Sequence, residues 1–372
     1  MEYNLENAVS YHYDRFPPEK LDYERLVPSL TRASETLAGY EQMLKTMPDS
    51  EILLGPLITQ EAVISSRMEG TVSTIDEVLR FEADQDVKLD SSKYVSPDTR
   101  ETSLYKSALR DAQETMKEGR PLTPSLIKTI HQRLLSEGRG VSKSPGNYKN
   151  EQNYIADRNK VLFVPISPEK LQEGVDKLFT YIKDSKHLEL IKIGVTHVEF
   201  EALHPFKDGN GRIGRMLITL MLWKLGKISE PYFYLSDYLE ENRDTYLDSM
   251  RNVSENDAWN DWLVFFFGAI EKQTQKNYKI AENIRKLYED MIGDFARVLR
   301  SDRSKDALDF MFKHQKFRNN KFVKESGIPE STAARFTREL LKAELLTVEE
   351  KGSGRKPAMY SLKPLMELVR KL

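Results

Sequence analysis

Along most of the chain, apolar residues recur at the three-and-four spacing of a helix packed on one side. Leu126, Ile127, Ile130 and Leu134 share one face of a segment that opens at Thr123-Pro124 and is predicted to end near Gly138. Leu171, Val175, Leu178 and Ile182 repeat the pattern after Ser167-Pro168, an N-cap followed by proline at the first helical position. A further apolar helix is predicted over Leu188 to Leu203. Met216 to Leu225 is apolar nearly all the way round, as for a helix at the centre of a bundle, and Gly226 stops it. Strand patterns are scarce. Before residue 340 the best candidate is Val161-Leu162-Phe163-Val164, halted by Pro165. The pattern predicts an all-α protein.

Two stretches read as boundaries. Residues 84 to 100 are rich in Asp and Ser, contain Pro97 and break the helical pattern. After Ile270 a long charged helix is predicted, with Ile280, Ile284, Leu287, Met291, Phe295 and Val298 forming a narrow apolar seam. Such a seam suits packing on a neighbouring domain or on a second chain in a homodimer. From about Ser304 the pattern becomes helix, helix, turn, helix, hairpin. Charge divides at the same place. The chain carries a net −2, but Asp302 to Leu372 holds 16 Lys/Arg against 10 Asp/Glu, so this segment carries +6 and the remainder −8. The expected domains are 1–100, a helical region; 101–300, a core; and 301–372, a C-terminal module.

The 372 residues, 39% hydrophobic and 31% charged, are those of a globular protein. Absence of cysteine excludes a disulfide framework, thiol catalysis and thiolate metal sites, and suits a reducing cytoplasm. Met1-Glu2-Tyr3-Asn4 lacks the start of a signal peptide, and the most apolar window, Trp262 to Ile270, is too short to cross a bilayer. A cytoplasmic protein without a membrane partner is expected.

The chemistry concentrates in residues 204 to 215, His-Pro-Phe-Lys-Asp-Gly-Asn-Gly-Arg-Ile-Gly-Arg. A glycine-rich turn feeding a helix N-terminus is an anion site: the amides of Gly209, Asn210 and Gly211 can face phosphate oxygens, aided by the positive end of the helix. Arg212 and Arg215, three apart, add forked donors for a polyphosphate. Asp208 is the hard oxygen ligand that Mg2+ takes beside phosphates, and His204 is a base neutral near pH 7. Each residue has a plainer reading, as an ordinary turn, a helix cap or a solvated face. Their conjunction within so short a stretch points to phosphate handling.

This stretch resembles the signature of the Fic (filamentation induced by cAMP) family, His-x-Phe-x-Asp/Glu-Gly-Asn-Gly-Arg-x-x-Arg, with every specified position met. The likeness runs from about Tyr11 to Phe267. It takes in Pro145-Gly146-Asn147-Tyr148, Gln152-Asn153, Phe163-Val164-Pro165, and Trp259 and Trp262. It implies a Fic-type helical bundle with a short β-hairpin flap at Val161 to Val164, and transfer of AMP from ATP to a Ser, Thr or Tyr hydroxyl of a target protein, itself included. It further implies that His204 deprotonates the hydroxyl and that Asp208 holds Mg2+. Phe206 would pack beneath the loop, Gly209, Asn210 and Gly211 would form the anion hole, and Arg212 and Arg215 would grip the β- and γ-phosphates. Ile213 and Gly214 complete the ATP-binding stretch. Tyr238 and Glu241, at i and i+3 of the next helix, are candidates for the adenine pocket, with Tyr246 a further one. The alternative for Tyr238 is a ring packed on the bundle beside a solvent-facing Glu241.

Upstream, Ser65-Ser66-Arg67-Met68-Glu69-Gly70 resembles the inhibitory motif of the same family. Ser65 and Glu69 at i and i+4 share a face, and Gly70 is a natural helix end. Glu69 could therefore pair with Arg215 where the γ-phosphate would sit. The plainer reading is an amphipathic helix with an exposed glutamate.

In the C-terminal module, Phe322 to Ile328 resembles the first helix and turn of a helix-turn-helix. Thr332, Arg335, Arg338 and Lys342 are read as facing outward from the second helix. Leu346 to Glu349 and Ala358 to Leu362 flank Lys351 to Lys356 as in the basic wing of a winged helix. DNA contact through groove and wing is one reading, and protein docking or dimer packing the other. Two competing functions remain: a DNA-binding regulator with a nucleotide-sensing core, which would need no His204, and Fic-type transfer of another phosphate-containing group.

Overall fold

The computed structural model describes residues 4–47, 49–85, 95–354 and 356–371. Of the sequence-based expectations, residues 86–94 of the 84–100 boundary and Arg355 of the basic wing lie outside them. The described residues form two compact units. No helix among them is long and apolar enough to cross a membrane.

The first unit takes the described residues through Lys45, Ile64–Gly70 and Leu104–Gln275. Its elements are β1 (Val9–Ser10), α1 (Tyr23–Thr46), the end of α3 (Gly55–Met68), most of α5 (Pro97–Lys117), α6 (Pro124–Leu134), β2 (Ile155–Asp157), β3 (Lys160–Val164), α7 (Pro168–Asp184), α8 (Glu189–Leu203), α9 (Asn210–Lys224), α10 (Ser236–Glu241), α11 (Arg243–Asn256) and the start of α12 (Trp259–Leu299). The centre is the pair α8 and α9. Every residue of α8 from Leu190 on is buried, as is α9 from Arg212 to Leu222. The sequence could be apolar all round there because both helices are enclosed by others. Trp262 donates its indole N–H to the carbonyl of Gly194 at 2.8 Å. A Cβ at 194 would lie 2.9 Å from Leu263 and Phe266 atoms, so glycine permits this approach.

Helix α6 opens as the sequence predicts, Thr123 accepting from the Leu126 N–H at 3.2 Å, but ends at Leu134, four residues before Gly138. A turn of 3-10 helix, Gly138–Lys143, follows. The expected strand at 161–164 is β3, which pairs antiparallel with β2. No alternating pattern marks the third strand. Residues 4–11 run parallel to β3, so the order is β1-β3-β2 and β3 is paired on both sides.

The second unit takes the described residues of Thr46–Val63, Thr71–Ser103 and Lys276–Leu372. It holds α2 (Ser50–Leu53), α4 (Ile75–Gln85), the end of α12, α13 (Ser304–His314), β4 (Lys316–Arg318), α14 (Asn319–Glu325), α15 (Glu330–Lys342), β5 (Leu346–Glu350), β6 (Met359–Leu362) and α16 (Lys363–Val369), with an antiparallel sheet in the order β4-β6-β5. The apolar window at Trp262 and the charged stretch beyond Ile270 are one helix, α12. Its seam is slightly rotated from the expected one: Tyr288 and Leu299 are buried while Leu287 and Val298 are only half-buried. The Tyr288 ring meets Phe312 edge-on at 5.1 Å, so the seam packs within the chain.

Many basic residues of this unit are engaged. Arg318, fully buried, donates to Asp84 at 2.9 Å, to Glu350 at 2.6 Å and to the carbonyl of Pro357 at 2.7 Å. Lys316 and Arg370 both pair with Asp76, whose carboxyl falls to about 2, chiefly through Arg370. Arg335, expected to face outward, instead donates to the carbonyl of Leu299 at 3.0 Å. The last carbonyls of α12 lack helical partners, and a guanidinium also suits the negative end of the helix.

Candidate active site

The loop between α8 and α9 is shaped by two left-handed residues. His204, at φ +45°, ends α8, its N–H bonding the carbonyl of Phe200 at 3.1 Å, and Pro205 cannot extend the helix. Gly209, at φ +78°, opens α9, a conformation that glycine adopts without strain. Asn210 closes the turn: it accepts from the Phe206 N–H and donates to the Phe206 carbonyl, both at 2.8 Å. Phe206 is fully buried and stacks on His131 with ring centres 3.8 Å apart. His131 accepts at Nδ1 from the Gly146 N–H and donates from Nε2 to the carbonyl of Asp208, at 2.8 and 2.9 Å. Burial pulls this imidazole down to about 4, so it stays neutral.

At the start of α9 the backbone N–H groups have no helical acceptors. One of the three nominated by the sequence is already satisfied: Gly209 N–H donates to Asp208 Oδ1 at 2.6 Å, which leaves the Asn210 and Gly211 amides for an anion. Arg212 is 3% exposed, and its Nε and Nη1 are buried without a hydrogen-bond partner among the described residues. Its Nη2 lies 3.4 Å from Asp208. Buried guanidinium donors are costly to leave unmade. Such a group beside a helix N-terminus is a receptor for negative charge.

Arg215 is buried too, but its Nε and Nη2 are both partnered. It donates from Nε to Ser65 Oγ at 2.8 Å, and from Nη2 to the Ser65 carbonyl at 2.8 Å and Glu69 Oε1 at 2.7 Å. Ser65 O belongs to the last turn of α3, where carbonyls need outside donors. Gly70, at φ +84°, follows the helix end. Burial would raise the Glu69 carboxyl, but Arg215, with Arg212 and His204, holds it below the ordinary carboxylate range. Glu69 Oε1 sits 2.3 Å from where a Cβ on Gly211 would be, so the carboxylate rests directly on the backbone of the anion cradle.

His204 donates from Nδ1 to the carbonyl of Glu201 at 3.3 Å, which leaves Nε2 as the basic nitrogen. Burial first, and then the nearby Lys149 cation, bring the imidazole down to about 4. The side chain of Glu201 is itself buried, its Oε1 without a hydrogen-bond partner among the described residues, and desolvation raises it to about 8.

The other nominated residues are placed as follows. Ile213 and Gly214 are buried in α9, the Gly214 carbonyl accepting from His197. On α10, Tyr238 is half-buried with its ring 6.2 Å from that of Phe265, and Glu241 is exposed. Tyr246 lies in the core, donating to His197 Nε2 at 2.8 Å, and offers no open ring face. Three residues about the loop carried no individual signal: His131, on the inner face of an amphipathic helix, and Lys149 and Asn153, next to or within recognised motifs without an assigned task.

Comparison with known proteins bears on the family and the fold. Residues 27–114 match the Fic/DOC family N-terminal profile and residues 121–222 the Fic/DOC family profile, together just over half of the chain. A probable protein adenylyltransferase of Aquifex aeolicus is 25% identical over 206 residues, 55% of this chain and 58% of that protein. A uridine 5'-monophosphate transferase of Xanthomonas campestris is 24% identical over 193 residues, 46% of this chain and 34% of that protein. The chain thus spans well under two thirds of the length of these relatives. In fold, it is similar to a Fic family protein from Desulfovibrio desulfuricans, with a TM-score of 0.57 at 18% identity over 93% of this chain and 98% of that one. The chain belongs to the Fic/DOC family.

Proposed function

We propose that the chain transfers AMP from ATP to a hydroxyl side chain of a protein target, itself included, and that Glu69 holds this activity in check. The observation that carries the reading is Arg212: a buried guanidinium with two donors unpartnered among the described residues, at the start of α9 in the loop that also bears a neutral imidazole, His204. His204 Nε2 accepts the proton of the attacking hydroxyl. The oxygen forms its bond to the α-phosphorus as the bond to the β-phosphate oxygen breaks, and diphosphate leaves. Arg212 and the Asn210 and Gly211 amides stabilise the charge on the phosphates; such chemistry needs mainly positioning and fixed dipoles. Asp208 fits a magnesium ion that takes its remaining ligands from phosphate and water, since its side chain is 40% exposed and its Oδ1 already turns toward the cradle. When bound, the ion neutralises phosphate charge. Tyr238 and Glu241 would receive the adenine.

With Glu69 on Arg215, the γ-phosphate has no seat, so ATP lies misaligned for attack. The target would approach as an extended segment. Because β3 is paired on both sides, a further strand would add at an outer edge of this sheet, that of β2 or of β1. The C-terminal elements fit a winged helix whose exposed Arg338 and Lys342 would meet DNA or a protein. A mobility shift that weakens steeply with salt would favour DNA.

The similarity to a uridine monophosphate transferase favours one second reading, transfer of a different nucleotide by the same loop. The intact mass of Glu69→Gly after incubation with ATP or UTP and Mg2+ decides between them. Addition of AMP, abolished by His204→Ala, is expected. Addition of UMP alone, or labelling that survives the loss of His204, overturns the reading.

A further inference from the structure

The stretch from Gly146 to Asn153 has no part in the substrate contacts above, yet it holds the backbone of the catalytic loop. The Lys149 N–H donates to the carbonyl of Pro205 at 2.8 Å. Its ammonium donates to the carbonyl of Leu203 at 3.1 Å and to Asn153 Oδ1 at 2.7 Å. Asn153 Nδ2 in turn donates to the carbonyls of His204 and Phe206, at 3.2 and 3.0 Å. Four consecutive carbonyls, 203 to 206, are thus each held from one five-residue stretch. They need it. His204 reverses the chain in a single left-handed residue, which takes these carbonyls out of any helix ladder.

An ordinary brace would be neutral. Lys149 is instead 4% exposed, with its charge at the C-terminal end of α8, where the helix dipole favours a cation. Burial brings the ammonium down to about 7, so the fold bears a cost to keep a titratable cation there. Just beyond, Gln152 donates to the carbonyl of Pro165 at 3.0 Å, tying the same stretch to the end of β3.

Building on the transfer reading, we propose that Lys149 and Asn153 are positioning residues that fix residues 203–206 so that the His204 imidazole faces the acceptor hydroxyl. The Lys149 charge also favours the unprotonated imidazole. The carboxylates of Glu69 and Asp208 and the carbonyl of Glu201 push the other way.

The test uses the full chain in the Glu69→Gly background. Lys149→Met and Asn153→Ala should each lower kcat by about ten- to a hundredfold, as small misplacements of a base do, with KM for ATP changed less than about threefold. Lys149→Arg should restore most of the rate. In Lys149→Met the acid limb of the kcat profile should move to higher pH, because the imidazole has lost its cationic neighbour. A merely structural brace would not move that limb. Unchanged kcat in both variants, or an unmoved limb in Lys149→Met, overturns the proposal. If Glu69→Gly itself transfers nothing, the transfer reading fails instead. The clamp is then judged by NMR titration of His204, whose pKa must rise in Lys149→Met for the proposal to stand.

Discussion

On the proposed reading, replacing Glu69 by glycine removes a carboxylate that would compete with triphosphate for a single guanidinium. Its Oε1 lies 2.7 Å from Arg215 Nη2 and fills the place a Cβ on Gly211 would take. The two bonds from Arg215 to Ser65 do not involve the Glu69 side chain, so the variant can keep them. What remains is one charge-assisted hydrogen bond, worth about 1.5–3 kcal/mol. The Glu69 side chain is 35% exposed, so solvent screening puts the figure near the lower end, about 1.5–2 kcal/mol. At 1.36 kcal/mol per tenfold, the lock should slow transfer roughly 10- to 30-fold. The gain should fall on kcat if, as proposed, ATP enters the Glu69-bound site but sits misaligned there. Glu69→Gln, which keeps the size and loses the charge, should fall between. Initial rates of label transfer from ATP with saturating Mg2+ measure this. Equal rates in an active wild type and in Glu69→Gly would refute the reasoning.

Other consequences follow from the same geometry. Gly214→Ala would put a Cβ 2.1 Å from Glu201 Oε1, so overpacking should destabilise by about 1–3 kcal/mol; an unchanged Tm would count against it. Asp84→Ala takes one of two carboxylates from buried Arg318, which keeps Glu350, and should cost about 1.5–3 kcal/mol in urea unfolding, an unchanged midpoint being contrary. Burial holds His131, His197 and His204 at about 4, 3 and 4, below the ordinary histidine value of about 6.5. The unfolded chain therefore binds more protons, and stability should fall as pH drops from about 6.5 toward 4. Glu201, raised to about 8, acts in reverse: its contribution is full below the ordinary carboxylate value of about 4.3 and is lost as pH rises through 8. Urea midpoints across this range, with Glu201→Gln flattening the alkaline side, check both signs.

Helix periodicity, the N-cap at Thr123 and the apolar circumference of α9 were legible because each depends on neighbours three or four residues away. The loop was legible for a similar reason. A base, a carboxylate, glycines and two arginines within one turn and its helix carry their chemistry in local order, and Ser65 to Gly70 carries its i, i+4 pair likewise.

Other features depend on partners far along the chain. Asn153 is 51 residues from the His204 carbonyl it holds, and His131 is 77 from Asp208. No period or motif links such positions. The parallel strand at Val9–Ser10 is two residues long, too short to leave an alternating pattern, and exists only because β3 offers an edge. The tertiary structure also settled orientation. Arg335, Tyr246 and the Gly209 amide were each read as available, and each is taken by a group that packing brought beside it, since buried polar atoms must find partners. The sequence by itself determined the main helices and which candidate groups stand together in the loop. Only the folded chain decided which donors were left over for a ligand, because that depends on what every other polar group had already bonded.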